Sequence, residues 1–127
     1  MRYNVFLPQI LLIIFLALAS TMSSAASTLF LDILEKEKAS DATAVEVDIT
    51  KEVKKYIPIG STVESAKNML EINGFEVTLD RANRKEFLSG QKEMSRSIFG
   101  FKSADIALEI QNDRVFDVVG TIFVHMP

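Results

Sequence analysis

The stretch from Ile57 to Asp80 constrains the fold more than any other part of the chain, because it contains a helix start, a helix stop and a strand in direct succession. Ser61 and Glu64 have the spacing of a capping box, in which two side chains accept hydrogen bonds from amides at the start of a helix. Gly74 ends the predicted helix, because glycine enters the left-handed conformation of a C-cap without steric cost. The apolar spacing between these signals predicts an amphipathic helix from Thr62 to Asn73.

Alternation of large apolar residues with small or polar residues predicts three strands, and it is strict over 45–49. One follows the helix over 75–79, one covers 106–111, and a short one over 45–49 is assigned to a sheet edge. Asn112-Asp113 then marks a turn, and the apolar run over 115–124 completes an antiparallel hairpin. Because that last run is apolar on both faces, we expect it at the centre of the sheet or beneath a helix.

These elements predict a single small α+β domain, with one antiparallel sheet of about three to five strands and one or two helices packed on one face. Residues 86–96 fit either a short helix interrupted at Gly90 or a long exposed loop. The side chains predicted to form the core are those of Val63, Ala66, Leu70, Phe75, Val77, Leu79, Ile106, Leu108, Ile110, Phe116, Val118 and Ile122.

The N-terminal segment determines the predicted compartment. A basic start with Arg2, an apolar run over 10–19 and a small, mostly polar stretch over 20–26 follow each other in the order of a secretory signal peptide. Cleavage after Ala25 fits best and cleavage after Ala26 nearly as well, since small residues precede both bonds. The alternative is an uncleaved anchor, for which the run is short, because a spanning helix needs about 17–25 apolar residues.

The predicted organisation is therefore a signal peptide over 1–25, a helix and linker over 26–44 and the α+β domain over 45–127. The chain contains no cysteine, which excludes lipid attachment at the cleavage site and disulfide support of the fold. Removing the signal peptide removes Arg2 and no acidic residue, so the formal net charge changes from −3 to −4. This acidic balance argues against a nucleic-acid partner and against binding to an anionic membrane.

Two short motifs resemble a known family. "GSTVESA" over 60–66 is similar to the helix start, and "ADIALEIQNDRVFDVVGTIFV" over 104–124 to the closing strands, of the SmpA/OmlA (BamE-like) group of small envelope domains, which share the fold of β-lactamase-inhibitor-protein repeats. This resemblance covers roughly Ile57 to Val124 and implies an α+β fold and a role among envelope proteins. Such domains are typically lipoproteins and carry a proline after the helix, and this chain has neither feature. The stretch over 60–77 also resembles the helix–strand half of a PASTA domain, which implies cell-wall binding.

No residue is predicted to be catalytic, and no cofactor or metal site is predicted. His125 stands near the end of the last strand, without a neighbouring nucleophile or orienting group in the sequence. His125 and Met126 could together bind copper, which accepts soft ligands. The other methionines are isolated in the sequence, so the preferred interpretation is that methionine fills the core. The carboxylates of the final hairpin region are interpreted as solvated side chains, and a hydrolase would need two of them in one cleft. They are Asp105, Glu109, Asp113 and Asp117.

Two sets of residues are predicted to contact a partner. Both combine basic side chains with an aromatic ring, as interface anchors often do, and the first set is assigned to a charged loop carried on a rigid frame. The first set is Arg81, Arg84, Lys85 and Phe87, and the second is Lys54, Lys55 and Tyr56 on a short helical turn.

The sequence therefore predicts an exported, periplasmic or secreted, non-catalytic module that binds or scaffolds another protein of the bacterial cell envelope. Membrane contact is expected only through the N-terminal segment, if that segment remains uncleaved. The alternatives are a cell-wall glycan-binding module and a small carboxylate-dependent hydrolase.

Overall fold

The computed structural model describes residues 28–126. The predicted signal peptide and its cleavage site fall on residues 1–27 and lie outside this range. The described chain forms α1 (28–39), β1 (Glu46–Asp48), α2 (Thr50–Tyr56), α3 (Val63–Ile72), β2 (Glu76–Ala82), β3 (Lys85–Ser97), β4 (Gly100–Gln111) and β5 (Arg114–His125).

All five strands form one antiparallel sheet in the order β1-β5-β4-β3-β2. The last four strands follow one another through tight turns. In two of these turns, over 83–84 and 112–113, both central residues have positive φ between 51° and 64°. That backbone matches the right-handed twist of the flanking strands and is the favoured geometry of a two-residue hairpin. The predicted α+β fold with an antiparallel sheet is confirmed, and residues 28–126 contain five strands and three helices.

The helices cover only one face of the sheet. The strand register places alternate side chains on that face, and they pack with residues of all three helices in one apolar cluster. The helices contribute Leu29 and Ile33 from α1, Val53 from α2, and Ala66 and Leu70 from α3, each at most 1% exposed. Burial of these side chains against the sheet holds the short helices in place, because isolated helices of this length are unstable in water.

Two glycines allow the helices to approach the sheet closely. A Cβ atom on Gly120 would lie 2.9 Å from Cγ2 of Val53 and 3.0 Å from Cγ1 of Ile49, and one on Gly90 would lie 3.1 Å from Cδ1 of Leu70. Real Cβ atoms rarely come so near to other heavy atoms. Glycine at these two strand positions therefore makes room for α2 and α3.

Polar contacts fasten α1 to the rest of the domain. The Asn73 side chain accepts from the backbone amide of Phe30 at 3.1 Å, and the Lys92 ammonium donates to the Asn73 carbonyl at 2.8 Å. That ammonium also lies 3.5 Å from the centroid of the Phe30 ring. Partial burial lowers the pKa of Lys92. These contacts join the start of α1 to the end of α3, where a cation is favoured by the helix dipole.

The predicted start of α3 is displaced by one residue. Thr62, not Ser61, is the N-cap, and its hydroxyl oxygen accepts from the Ser65 amide at 3.2 Å. The Ser61 hydroxyl instead donates to the Pro58 carbonyl at 2.6 Å. The predicted helix stop is confirmed, since Gly74 has φ of +84° directly after the helix.

The prediction for residues 86–96 is wrong, because this segment is part of β3 and pairs with β2 on one side and β4 on the other. Gly90 does not break a helix there but lies beneath Leu70. The alternation is hard to recognise because Lys92 occupies a position facing the helices and Phe87 a position facing away. Pairing with two neighbours supplies the hydrogen bonds that decide the conformation.

Two predicted core residues are exposed. Leu79 faces the helices from β2 but is 56% exposed, because α3 runs from the β4–β5 turn to the start of β2 and leaves the far half of that strand uncovered. Phe116 is 53% exposed at a register shift, where Val115 pairs with Ile110 and Asp117 with Glu109. Val63 and Val77 are partly buried against the core, and the other predicted core residues are buried.

Candidate functional site

The face of the sheet opposite the helices is its open face. Strand register assigns to it alternate residues of β2 to β5, and none of the three described helices lies over it. Its members include Glu76, Thr78, Asp80 and Ala82 of β2, Lys85, Phe87, Ser89, Gln91, Glu93 and Arg96 of β3, Phe101, Ser103, Asp105, Ala107 and Glu109 of β4, and Asp117, Val119, Thr121, Phe123 and His125 of β5.

The open face is acidic. Two of its carboxylates are neutralised: Glu93 forms an ion pair with Arg96, and Glu109 lies 3.6 Å from the Lys85 ammonium. The remaining four have no ion pair within residues 28–126, and they are Glu76, Asp80, Asp105 and Asp117. The face therefore carries excess negative charge, which favours a partner with basic side chains.

Asp105 stands at the centre of this face with one unsatisfied oxygen. Its Oδ1 atom is buried and accepts no hydrogen bond within the described chain. Gln91 and Thr121 are the cross-strand neighbours of Asp105. A buried carboxylate oxygen without a donor costs stability, since desolvation is not compensated. Because this oxygen is closed to solvent, a donor on the open face reaches it only if neighbouring side chains move.

Aromatic side chains gather near one end of the open face. The His125 ring stacks on Phe101 with centroids 4.3 Å apart, and its Nε2 atom lies 2.9 Å from the Ser103 hydroxyl oxygen. The Arg96 guanidinium lies 4.8 Å from the Phe101 centroid. Ser103 is only 1% exposed, so its hydroxyl is closed to a substrate despite the serine–histidine contact. His125 thus has a packing role in this cluster.

The structure separates the carboxylates of the final hairpin into different environments. Glu109 and Asp117 are cross-strand partners on the open face, and Asp113 lies in the β4–β5 turn. The Asp117 carboxylate accepts from the Val118 amide at 2.9 Å, while Glu109 is held by Lys85. The pair is close in register on the open face, where each carboxylate already has a bonded partner.

The first predicted partner set lies on a hairpin, not on a loop. Arg81 belongs to β2, where it lies 4.0 Å from Glu86, and Arg84 is the second residue of a two-residue turn. Lys85 begins β3, and Phe87 is half-buried on the open face. The prediction of a charged loop over this segment is therefore wrong, because the positive-φ turn allows β2 and β3 to pair up to Ala82–Lys85.

The second predicted set is largely engaged inside the molecule. The Tyr56 hydroxyl donates to the Asp32 carboxylate at 2.7 Å, and the Lys55 ammonium lies 3.2 Å from the same oxygen. These two donors, Tyr56 first, lower the pKa of Asp32 below its usual value of 3.8, against a smaller opposing effect of burial. Lys54 is exposed on α2. Across residues 28–126, no hydrogen bond or ion pair joins the two sets.

Two further absences apply to residues 28–126 alone. Among these residues, no group of three or more histidine, aspartate or glutamate side chains is arranged to hold a metal ion. Within the same range, no helix has the length and hydropathy needed to cross a membrane.

An apolar hairpin tip is a feature that sequence patterns did not identify. Ile98 and Phe99 form the β3–β4 turn and are 88% and 73% exposed. Isoleucine and phenylalanine are both common in strands, so their presence does not indicate a turn. Their position between Ser97 and a positive-φ Gly100 was the available turn signal.

No protein-family model, curated protein or solved structure matches the chain. The resemblance to BamE-like and PASTA domains therefore stays a prediction based on short motifs.

Proposed function

We propose that this chain is a non-catalytic binding module of the bacterial cell envelope, exported to the periplasm or secreted, and that its open face contacts another envelope protein. The observation that supports this most is the placement of all three helices on one side of the sheet. An acidic and aromatic surface is left on the other side, with Asp105 unsatisfied at its centre.

The composition of the open face suits a protein partner. Val119 is 53% exposed, and Phe87 and Phe123 are half-buried, so apolar surface lies between the unpaired carboxylates. Interfaces commonly combine aromatic anchors with charges that match the partner's field. A basic protein surface would neutralise the exposed Asp117.

Site-specific photocrosslinking tests this proposal. The full-length gene is expressed with a photoreactive phenylalanine analogue in place of Val119, in cells of a bacterial host. The matched control carries the analogue in place of Ile72, which is 59% exposed on α3, on the opposite side of the molecule. We expect a discrete crosslinked species in the envelope fraction from the Val119 position and none from Ile72.

Equal crosslinking from both positions would contradict the open face as the interface. Co-sedimentation with purified peptidoglycan that is lost on Phe87→Ala would favour the glycan-binding alternative instead. Hydrolase activity that is lost in Glu109→Gln and Asp117→Asn would overturn the non-catalytic assignment.

A further inference from the structure

The outer edge of β2 is the longer of the two edges of the sheet. β2 pairs with β3 along its whole length, from Glu76–Gln91 to Ala82–Lys85, and no described strand pairs with its other side. Six of its seven residues are exposed, and it contains neither a proline nor a register shift. The opposite edge, β1, has only three residues. The backbone groups on the outer side of β2 are therefore available to a further strand.

On the helix side of this edge, the apolar residue Leu79 is not covered by a helix. It faces the helices beside the partly buried Val77, yet α3 does not reach it and it remains 56% exposed. The apolar layer of the sheet thus stops in the middle of the edge strand. An apolar side chain on an added strand would continue that layer over Leu79.

The charges of β2 argue against a second copy of the chain as the added strand. In a continuous antiparallel sheet, the side chains of directly opposed residues lie on the same face. Two copies of β2 can therefore pair only in registers that are centred on a residue. Three such registers pair five or more of the seven residues, and they are centred on Thr78, Leu79 and Asp80. The first places Glu76 opposite Asp80 of the other copy, and the third places the two Asp80 side chains opposite each other. The second brings them together diagonally. The first and third registers therefore oppose like charges directly, and the second places them on the diagonal, where charged side chains are still within reach of each other.

We infer that the β2 edge accepts an extended segment of a partner protein as a sixth strand, with lysine or arginine opposite Glu76 and Asp80 and an apolar residue opposite Leu79. Neither acidic side chain has an ion pair within the described chain, and both point to the open face. This inference rests on the proposed binding function only in requiring a protein partner. Strand addition gives affinity through backbone hydrogen bonds, and the alternate charges give selectivity.

A peptide titration tests the edge directly. The probe is acetyl-Thr-Glu-Lys-Val-Thr-Val-Lys-amide, which in antiparallel register places its lysines opposite Asp80 and Glu76 and a valine opposite Leu79. It is added to isotope-labelled protein purified after expression of the full-length gene, and backbone amide shifts are followed by NMR. We expect saturable shifts concentrated in β2 and β3. Shifts centred on another element, or none, would overturn the inference.

Charge exchange separates strand addition from general attraction to an acidic protein. The double variant Glu76→Lys with Asp80→Lys should bind the probe about tenfold more weakly, since two cross-strand pairs change from attraction to repulsion. It should bind instead a peptide in which both lysines are glutamate. The matched control, Glu64→Lys with Glu71→Lys on exposed positions of α3, should retain the affinity of the parent. Equal weakening in the control variant would contradict specific docking at β2.

A backbone control completes the test. Two N-methylated versions of the probe are used, one methylated on the odd-numbered amides and the other on the even-numbered amides. Successive amides of an extended peptide point to opposite edges, so each version lacks the hydrogen-bond donors of one edge. At least one of them must lose binding, and unchanged binding of both would exclude strand addition. Peptide binding at β2 without crosslinking from Val119 would refute the open face as the interface and still support the edge site. Crosslinking from Val119 without peptide binding at β2 would refute the edge site and still support the open face.

Discussion

At the residue scale, Leu70 has the most demanding position in the core. It is fully buried, and its Cδ1 atom lies over Gly90, where even a methyl group would be crowded. We expect Leu70→Ala to lower the free energy of unfolding by about 2–5 kcal/mol, because it removes buried methyl groups and leaves a cavity. Urea denaturation measures this difference.

Ile72 supplies the control for this substitution. It lies on the same helix but is 59% exposed, so Ile72→Ala should change the free energy of unfolding by no more than about 0.5 kcal/mol. Similar losses in the two variants would show that α3 is not packed on the sheet as described.

Asp105, unlike Leu70, is expected to lower the free energy of unfolding. Because its Oδ1 atom is buried without a donor, Asp105→Asn should raise the free energy of unfolding by about 0.5–2 kcal/mol in urea denaturation. Asp117→Asn should bring no such gain, since that carboxylate already accepts from the Val118 amide. A loss of stability in Asp105→Asn would mean that the carboxylate serves the fold.

At the element scale, α1 is fastened to α2 through one carboxylate. The pKa of Asp32 is lowered by Tyr56 and Lys55, so its ionised form favours the folded state. This contribution is fully present above the pKa of the unfolded chain, near 3.8, and is lost as the pH falls through the lower folded-state value. The fastening of α1 should therefore weaken in acid.

The variant Asp32→Asn isolates this effect, because it keeps the side-chain shape without the charge. We expect it to be less stable than the parent near neutral pH, and we expect the difference in free energy of unfolding to disappear once the pH is well below 3.8. Urea denaturation across that range measures the difference. Tyr56→Phe, which removes the main donor, should reduce the same pH dependence, and a difference that persists in acid would rule out the charged contact as its cause.

Elements with strong local signals could be predicted from the sequence, and those decided by tertiary pairing could not. Gly74 stops α3 through its own backbone preference, so the stop was predictable. The N-cap was displaced from Ser61 to Thr62 because both residues can cap, and the backbone contacts of Ser61 and Val63 with the β4–β5 hairpin select the second. β3 was missed because its two partners, not its own alternation, determine it.

The candidate site was less predictable than the fold. The pattern that placed Leu79 in the core identified its face correctly, but the extent of cover by α3 depends on the path of the helix across the sheet. Lys55 and Tyr56 are predicted to contact a partner, and the sequence did not reveal that they also contact Asp32, a residue 24 positions from Tyr56. Such contacts depend on packing between distant segments, which short-range patterns do not report.

At the scale of the whole molecule, the two faces of the sheet differ in what covers them, because the described helices pack on one face and leave the other open. The face beneath the helices carries the stability, and we propose that the open face and the β2–β3 hairpin carry recognition. Arg84→Ala combined with Phe87→Ala should weaken partner binding about tenfold or more, since truncation of interface anchors has effects of this size. The melting temperature should fall by less than about 4–8 °C, the shift that about 1 kcal/mol produces in a small domain.

Calorimetry and a binding assay with the crosslinked partner measure both quantities on the same samples. Leu70→Ala serves as the converse variant, because it should lower the melting temperature while leaving the affinity of the remaining folded molecules unchanged. A large loss of stability in the double variant would place Phe87 in the core and remove it from the proposed interface.

The pairing of β1 with β5 has a consequence for the order in which the chain can fold. β1 and α2 pack on β5, the last of the described strands in sequence order, and the neighbouring residues Ile49 and Gly60 bond to Gly120 and Val115. Until residues 114–125 have been synthesised, β1 and α2 lack the strand on which they pack. Loop closure over such a separation is slow compared with the local hairpins β2 to β5. The segment over 46–56 therefore completes its packing only after the local hairpins that precede β5 have formed.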